Sequence, residues 1–148
     1  MSNYKELVVW QKAILLVTDI YNLTKTFPKE EIYGLVSQMQ RAAISIPSNI
    51  AEGHDRNSDK EFSNFLCFAR GSLAELETQL IISEKLGYIN QEQKTHILNK
   101  CYEIGKMING LFKKTWLVVN LSTSVRSHSF NSGDWRLVTG SYPERMIL

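Results

Sequence analysis

Apolar residues recur at steps of three and four in four separate stretches of the chain, the spacing that places them on one side of an α-helix. The first stretch opens at NYKE, where Asn3 and Glu6 make a capping-box-like pair, and extends to about Lys25. It carries two apolar series: Leu7, Trp10, Ile14, Val17, Tyr21, and Val9, Ala13, Leu16, Ile20, Leu23. At ~100° per residue the two cover roughly 200° of the helix, twice the usual core-facing stripe. The second series is therefore expected to be buried against another subunit, an unusually deep position in a single core being the alternative.

The second stretch begins at FPKEE, with Pro28 suited to the first helical position and Glu30 and Glu31 facing the positive end of the helix dipole. Its core series is Ile32, Val36, Met39, Ala43, Ile46, Ile50, and Gly53 with the polar run HDRNSD is expected to end it. The third starts at SDKE, a capping box of Ser58 and Glu61, follows Phe62, Leu66, Ala69, Leu73, Leu76, Leu80 and stops at Gly87. The fourth opens at NQEQ and follows Ile97, Cys101, Ile104, Ile108, Leu111 to about Trp116. Four helices of roughly 30–45 Å with short links predict an all-α fold, an antiparallel up-down four-helix bundle over residues 1–116. From Leu117 the helical period is lost and the composition turns Ser-, Thr- and Gly-rich, which predicts an irregular, mobile C-terminal tail over 117–148, with docking of Trp135 on the bundle as the lesser alternative.

The stretch RAAISIPSNIAEGHDR departs from this regularity. Pro47 removes a backbone donor and costs about 3 kcal/mol in a helix interior. The apolar series nevertheless runs through it, so helix 2 is expected to bend without breaking, with Ser48 or Asn49 compensating the lost backbone bond. Gln38, Arg41, Ser45, Ser48, Asn49, Glu52 and Arg56 form a polar stripe beside the core series. A carboxylate on a phosphate-binding face repels its ligand, so Asn49 and Glu52 read as internal partners, while Arg41 and Arg56 remain open between phosphate contact and internal pairing.

The chain has 148 residues, enough for one domain with its own core, and a formal net charge of +2. Residues 1–116 hold 14 Lys+Arg against 13 Asp+Glu, so any anion-binding surface must be a local patch. Helix 4 supplies Lys94, Lys100, Lys106, Lys113 and Lys114 against Glu92 and Glu103. A solvated face complementing the helix dipole is the commoner reading of such lysines, a nucleic-acid footprint the alternative. Tyr102, Phe112 and Trp116 are assigned to core or interface in preference to base stacking. Cys67 and Cys101 lack zinc-type spacing and are expected as reduced, buried thiols. No basic segment with an apolar run and cleavage site opens the chain and no apolar run reaches membrane-spanning length, so a cytoplasmic, soluble protein without membrane contact is expected.

Catalytic chemistry finds little support. His54, His96 and His128 lie in unrelated segments without a nucleophile motif, and neither Glu52/His54 nor Glu92/His96 has the Glu-x-x-His spacing of a di-metal bundle site. No cofactor, metal or catalytic residue is expected. Gly71, in ARGSLAELE, sits mid-helix, where it costs about 1 kcal/mol relative to Ala and suggests a tight helix crossing.

The motifs VW, FP-x-E-x-YGL, RAA-x-SIP-x-NIAEG and GSL-x-E, carried by Trp10, Phe27, Pro28, Tyr33, Gly34, Leu35, Arg41, Ser45, Pro47, Asn49, Glu52, Gly53, Gly71, Ser72 and Glu75, resemble in combination the bacterial 23S rRNA-intervening-sequence proteins over about residues 4–115. The resemblance implies a non-enzymatic four-helix bundle assembling into a ring-like homopentamer, in some members encoded within an insert in 23S rRNA genes and linked to nucleic-acid binding. Related bundles accompany reverse transcriptases of diversity-generating retroelements. The long segment after Leu117 departs from the family's short ending. The expectation is a homo-oligomer, a pentamer by this resemblance, that binds RNA or DNA through Arg41, Arg56, Lys60, Arg70, Lys106, Lys113 and Lys114. The alternative is a protein-interaction adaptor, such as an accessory subunit for a reverse transcriptase.

Overall fold

Four helices form where the three-and-four spacing predicts them: α1 (Val8–Thr24), α2 (Leu35–Asp55), α3 (Asp59–Lys85) and α4 (Gln91–Arg126). The computed structural model describes residues 3–126, with side chains as far as Leu121, so the tail expected from residue 127 on and Trp135 lie outside the described residues. Each helix contacts the two beside it, α1 with α2, α2 with α3, α3 with α4 and α4 with α1, which closes an antiparallel up-down bundle around one core. That core is built from the predicted series of α2, α3 and α4, and Leu16, Ile46, Leu76 and Ile104 are representative of side chains at 0–1% exposure. Burying one such residue is worth about 1.5–3 kcal/mol.

The two apolar series of α1 exchange the expected roles. Val9, Ala13, Leu16 and Ile20 are the core series, whereas Ile14 and Tyr21 are exposed and Leu7, Trp10 and Val17 half-buried. The surplus apolar surface therefore comes from the series beginning at Leu7 together with Val8 and Leu15, which belong to neither series and are the most exposed apolar residues of α1. With α2 on one side and α4 on the other, only the arc between them is covered, and the first series falls on the outer α2 flank.

The helix starts also differ from expectation. Asn3 accepts a hydrogen bond from the Lys5 N–H at 3.1 Å, but it caps a single 3₁₀ turn, Tyr4–Glu6; extended Leu7 then separates this turn from α1. Pro28 likewise precedes a 3₁₀ turn, Lys29–Glu31, leaving Ile32 exposed ahead of α2. α2 is capped by a side chain of that turn: the Glu31 carboxylate accepts from the Leu35 N–H at 3.0 Å and from the Tyr88 hydroxyl at 3.0 Å, tying the start of α2 to the α3–α4 turn. Ser58 caps α3 as predicted, and Gly87 (φ +77°) ends it, with Gly87 N–H bonded to the Glu84 carbonyl and Tyr88 N–H to that of Ser83. Asn90 and Gln93 exchange side-chain-to-backbone bonds at 2.8 and 2.9 Å to start α4.

α4 continues to Arg126, past the predicted end at Trp116, so the segment 117–126 is helical and not irregular. Once a helix is nucleated, each added residue gains a backbone bond without a fresh nucleation cost, and an apolar period is not needed to extend it. The Asn120 amide donating to the Trp116 carbonyl at 2.9 Å caps part of this extension.

The two motif glycines exchange roles as well. Gly53 lies inside α2, buried, where a Cβ would come within 2.5 Å of the Phe65 Cβ; it is the close approach between α2 and α3, not a helix stop. Gly71 is exposed, and a Cβ placed on it would meet nothing within 4 Å, so no tight crossing occurs there. Gly53→Ala should therefore destabilise the fold by about 1–3 kcal/mol through overpacking, whereas Gly71→Ala should stabilise it by about 0.4–1 kcal/mol through the unfolded chain. Urea titration of the two variants checks both signs.

Cys101 is buried as expected, but Cys67 is exposed. Burial, with a smaller contribution from nearby Glu77, pushes the Cys101 thiol up to about 12. Its folded value lies above the unfolded value of 9.0, so the associated stability is complete below about pH 9 and lost as pH rises towards about 12. A thiol reagent at neutral pH should label Cys67 alone in the native protein and both cysteines after denaturation, as mass spectrometry would read.

Candidate nucleic-acid interface

The polar stripe of α2 turns mostly towards α3 and satisfies itself. The Asn49 amide donates to the Ser45 carbonyl at 2.8 Å and to the Ser45 hydroxyl at 2.9 Å, and the Ser72 hydroxyl of α3 lies 2.9 Å from the same Ser45 oxygen. The single Ser72 proton serves either Ser45 or the Phe68 carbonyl, 3.1 Å away. Pro47 is buried and α2 runs through it unbroken. The carbonyl it leaves without its helical partner is that of Ala43, yet Ser48 donates to Ile44 at 2.8 Å and Asn49 to Ser45. Neither side chain replaces the missing bond itself; both support the next two carbonyls along.

Arg56 is an internal partner. Its guanidinium lies 2.6 Å from a Glu52 carboxylate oxygen and 5.4 Å from the centre of the Phe65 ring, and that hydrogen bond raises the pKa of a group that is already charged. Phe65 in turn meets Phe68 edge to face, with ring centres 5.7 Å apart. Sequence reasoning missed this aromatic pair because it stands outside the α3 core series. Arg41 is exposed on the same α2/α3 flank, with Glu52 and Glu75 also exposed there, so this flank is mixed in charge.

The flank formed by α3 and α4 is different. Ser63 and Thr115 share a hydrogen bond at 2.8 Å, and Leu73 lies against Gly105, which fixes an antiparallel register placing Arg70 about level with Ile108. Arg70 therefore sits along the bundle between the levels of Lys106 and Lys113, which share one side of α4 at a seven-residue spacing. Lys60 stands at the start of α3 on the side shared by Cys67, about 15 Å from Arg70 at ~1.5 Å per residue. None of these four has a carboxylate partner among the described residues. The carboxylates on that flank are Glu77, which burial pushes above its usual range, Glu84, paired with Lys94 at 3.3 Å, and Asp59, next to Lys60 in sequence and lining a pocket with Leu111 and Thr115 of α4.

The remaining helix 4 cations go elsewhere. Lys100 pairs with Asp19 at 2.6 Å, and Lys12 of α1 pairs with Glu103 at 2.8 Å, holding that carboxyl below its usual range. Lys114 turns to the α1 side, next to Leu7, Val8 and Met107. Of the seven predicted contacts, the fold thus brings together Lys60, Arg70, Lys106 and Lys113, and separates Arg41, Arg56 and Lys114 from them. Tyr102, assigned to core or interface, is 66% exposed on the Lys106 side of α4, while Phe112 is half-buried. Among the described residues no group of three or more His, Cys, Asp or Glu side chains is arranged to hold a metal, and no helix is long and apolar enough to cross a membrane.

The profile of the 23S rRNA-intervening sequence protein family matches residues 5–110, which include the whole of α1 to α3 and most of the basic flank. The chain belongs to this family. A crystal structure of a protein of unknown function from the S23 ribosomal protein family of Bacteroides thetaiotaomicron VPI-5482 is similar to it, with 30% sequence identity and a TM-score of 0.67. The similarity covers 72% of this chain and 99% of that one. The chain has no match among curated proteins. Of the family-motif residues, Gly53 sets the approach of α2 to α3, Asn49 and Glu52 hold Ser45 and Arg56 where they meet Ser72 and Phe65 of α3, and Pro47 lines the groove between α1 and α2. Asn49→Ala should cost about 1–3 kcal/mol of stability, because it strips partners from the Ser45 site, and should leave nucleic-acid affinity unchanged. Urea titration and filter binding on the same variant read the two effects separately.

Proposed function

We propose that this protein is a non-enzymatic, cytoplasmic homo-oligomer that binds RNA or DNA through the α3/α4 flank. The observation supporting this reading is the segregation of Lys60, Arg70, Lys106 and Lys113 onto one flank, unpaired among the described residues, while Lys12, Arg56, Lys94 and Lys100 are spent on ion pairs. Phosphate binding needs cations whose charge is not already neutralised, and each phosphate neutralised releases counterions. Affinity should fall with a log–log salt slope of about −0.7 to −0.9 per phosphate contacted. Replacing Arg70, Lys106 and Lys113 together by Gln should weaken retention of structured RNA and duplex DNA at least tenfold in filter binding, and Arg56→Gln should not. No retention of either by the unaltered protein at low salt would sink the proposal.

The assembly part rests on α1. Ile14 and Tyr21 are exposed, and Trp10, Ile14, Val17, Ile44 and Pro47 line an open groove of about 250 Å³ between α1 and α2. Covering it with a second copy removes this apolar surface from water, and a five-membered ring is the assembly we propose. Ile14→Asp should shift the mass by light scattering to that of one chain. Pro47→Ala, which alters the groove floor, should keep the helical circular dichroism signal and change the assembly. A single-chain mass for the unaltered protein would overturn this part.

A second reading, a protein-interaction adaptor for a partner such as a reverse transcriptase, is favoured by the α2/α3 flank. There Phe68 is 58% exposed beside Phe65 and Arg56, and aromatic and arginine side chains are enriched at protein interfaces. Purification from the host separates the two: a polymerase that stays bound after nuclease treatment supports the adaptor, and nuclease-sensitive nucleic acid supports the first reading.

A further inference from the structure

Resting on the nucleic-acid reading, we propose that the α3/α4 flank takes an unpaired segment of RNA, with a base stacked on Tyr102 and the neighbouring phosphates held by Lys106, Arg70 and Lys113. Binding a duplex through its backbone asks for cations along a groove and has no use for an exposed aromatic among them. Tyr102 is 66% exposed at one end of this basic row, one helical turn beyond Lys106. The Lys106 ammonium lies 5.4 Å from its ring centre, covering one face of the ring. The exposure of the ring lets a base stack on it from solvent, and base–aromatic and cation–π contacts are the two interactions that single-strand binding sites combine.

The spacing suits a strand. Tyr102, Lys106, Asn109 and Lys113 follow one another at steps of four, three and four along one side of α4 and span about 16 Å at ~1.5 Å per residue. Asn109 is exposed between the two lysines, and its amide offers both a donor and an acceptor to a ribose 2′-hydroxyl or a base edge. Arg70 reaches the same stretch from α3. The carboxylate closest in sequence, Glu103, hydrogen-bonds Lys12 on the α1 side and feels the Lys106 charge only as a smaller, longer-range attraction, so the Lys106 ammonium has no direct carboxylate partner.

The test measures fluorescence anisotropy of end-labelled oligo-rU, oligo-dT of the same length and a fully paired RNA duplex with the full chain. The proteins are the unaltered chain, Tyr102→Ala, Tyr102→Phe and the Lys106→Gln/Lys113→Gln double variant. We expect oligo-rU to bind more tightly than the duplex or oligo-dT. Tyr102→Ala should weaken oligo-rU about tenfold or more and leave duplex affinity unchanged, and Tyr102→Phe should restore it. The double lysine variant should weaken every probe. Tyr102 is on the surface, so the helical signal of Tyr102→Ala should match that of the unaltered chain. Equal affinity for oligo-rU and duplex, or for oligo-rU and oligo-dT, overturns the unpaired-RNA assignment. An unchanged oligo-rU affinity in Tyr102→Ala, with loss in the double lysine variant, overturns the stacking while leaving the phosphate-binding reading intact. No binding of any probe at low salt overturns both.

Discussion

The close approach of α2 and α3 at Gly53 sets the rest of the architecture. Without a side chain there, the α2 backbone comes into contact with Phe65, and the same register brings Ser45 to Ser72 and Met39 to Ser83 further along the pair. Once α3 is seated this way, its rotation about its own axis is fixed. Phe65 and Phe68 must face the α2 side, and Arg70 must face α4. α4 then follows through Ser63–Thr115 and Leu73–Gly105. A larger residue at position 53 acts on every one of these placements, because interiors are packed too densely to absorb a methyl group without displacement.

Ion pairing sorts the cations that this geometry exposes. On the α1/α4 side, two antiparallel pairs, Lys12–Glu103 and Asp19–Lys100, join helices that share few other contacts. Surface pairs of this kind add little stability, with a median of about 0–1 kcal/mol. Their larger effect is on charge: they engage Lys100 and Glu103 in direct pairs and leave Lys106 and Lys113 without one, Lys106 keeping only a weaker attraction to Glu103. The α2 stripe is used similarly, with Glu52 holding Arg56 and Asn49 holding Ser45, so motif residues that look like a binding surface serve the packing of two helices.

The apolar periodicity made the four helices and their antiparallel order legible, and the core residues of α2, α3 and α4 largely follow it. What it could not supply is distance. Gly53 reads in sequence as a helix stop and Gly71 as a mid-helix glycine at a tight crossing, and only the helix register shows that a Cβ at the first would strike Phe65 while one at the second would meet nothing within 4 Å. The two apolar series of α1 were equally good core candidates for the same reason, since choosing between them requires knowing where α2 and α4 sit. Helix ends were misjudged where a 3₁₀ turn intervened before the helix, as at Lys29–Glu31 ahead of α2, and where α4 extended without an apolar period. The basic residues were found as a set, but a flat list of charges cannot show that Glu103 and Asp19 cancel some of them while Lys60, Arg70, Lys106 and Lys113 converge.

That convergence gives a molecule of nearly balanced charge an electrical sidedness. Cations without a direct ion pair gather on the α3/α4 flank and paired ones on the α1/α4 side, although the whole chain carries only +2. A polyanion within a Debye length, about 8 Å at physiological salt, would exert a turning moment on such a body before any contact, and the protein would meet it already oriented, α4 foremost.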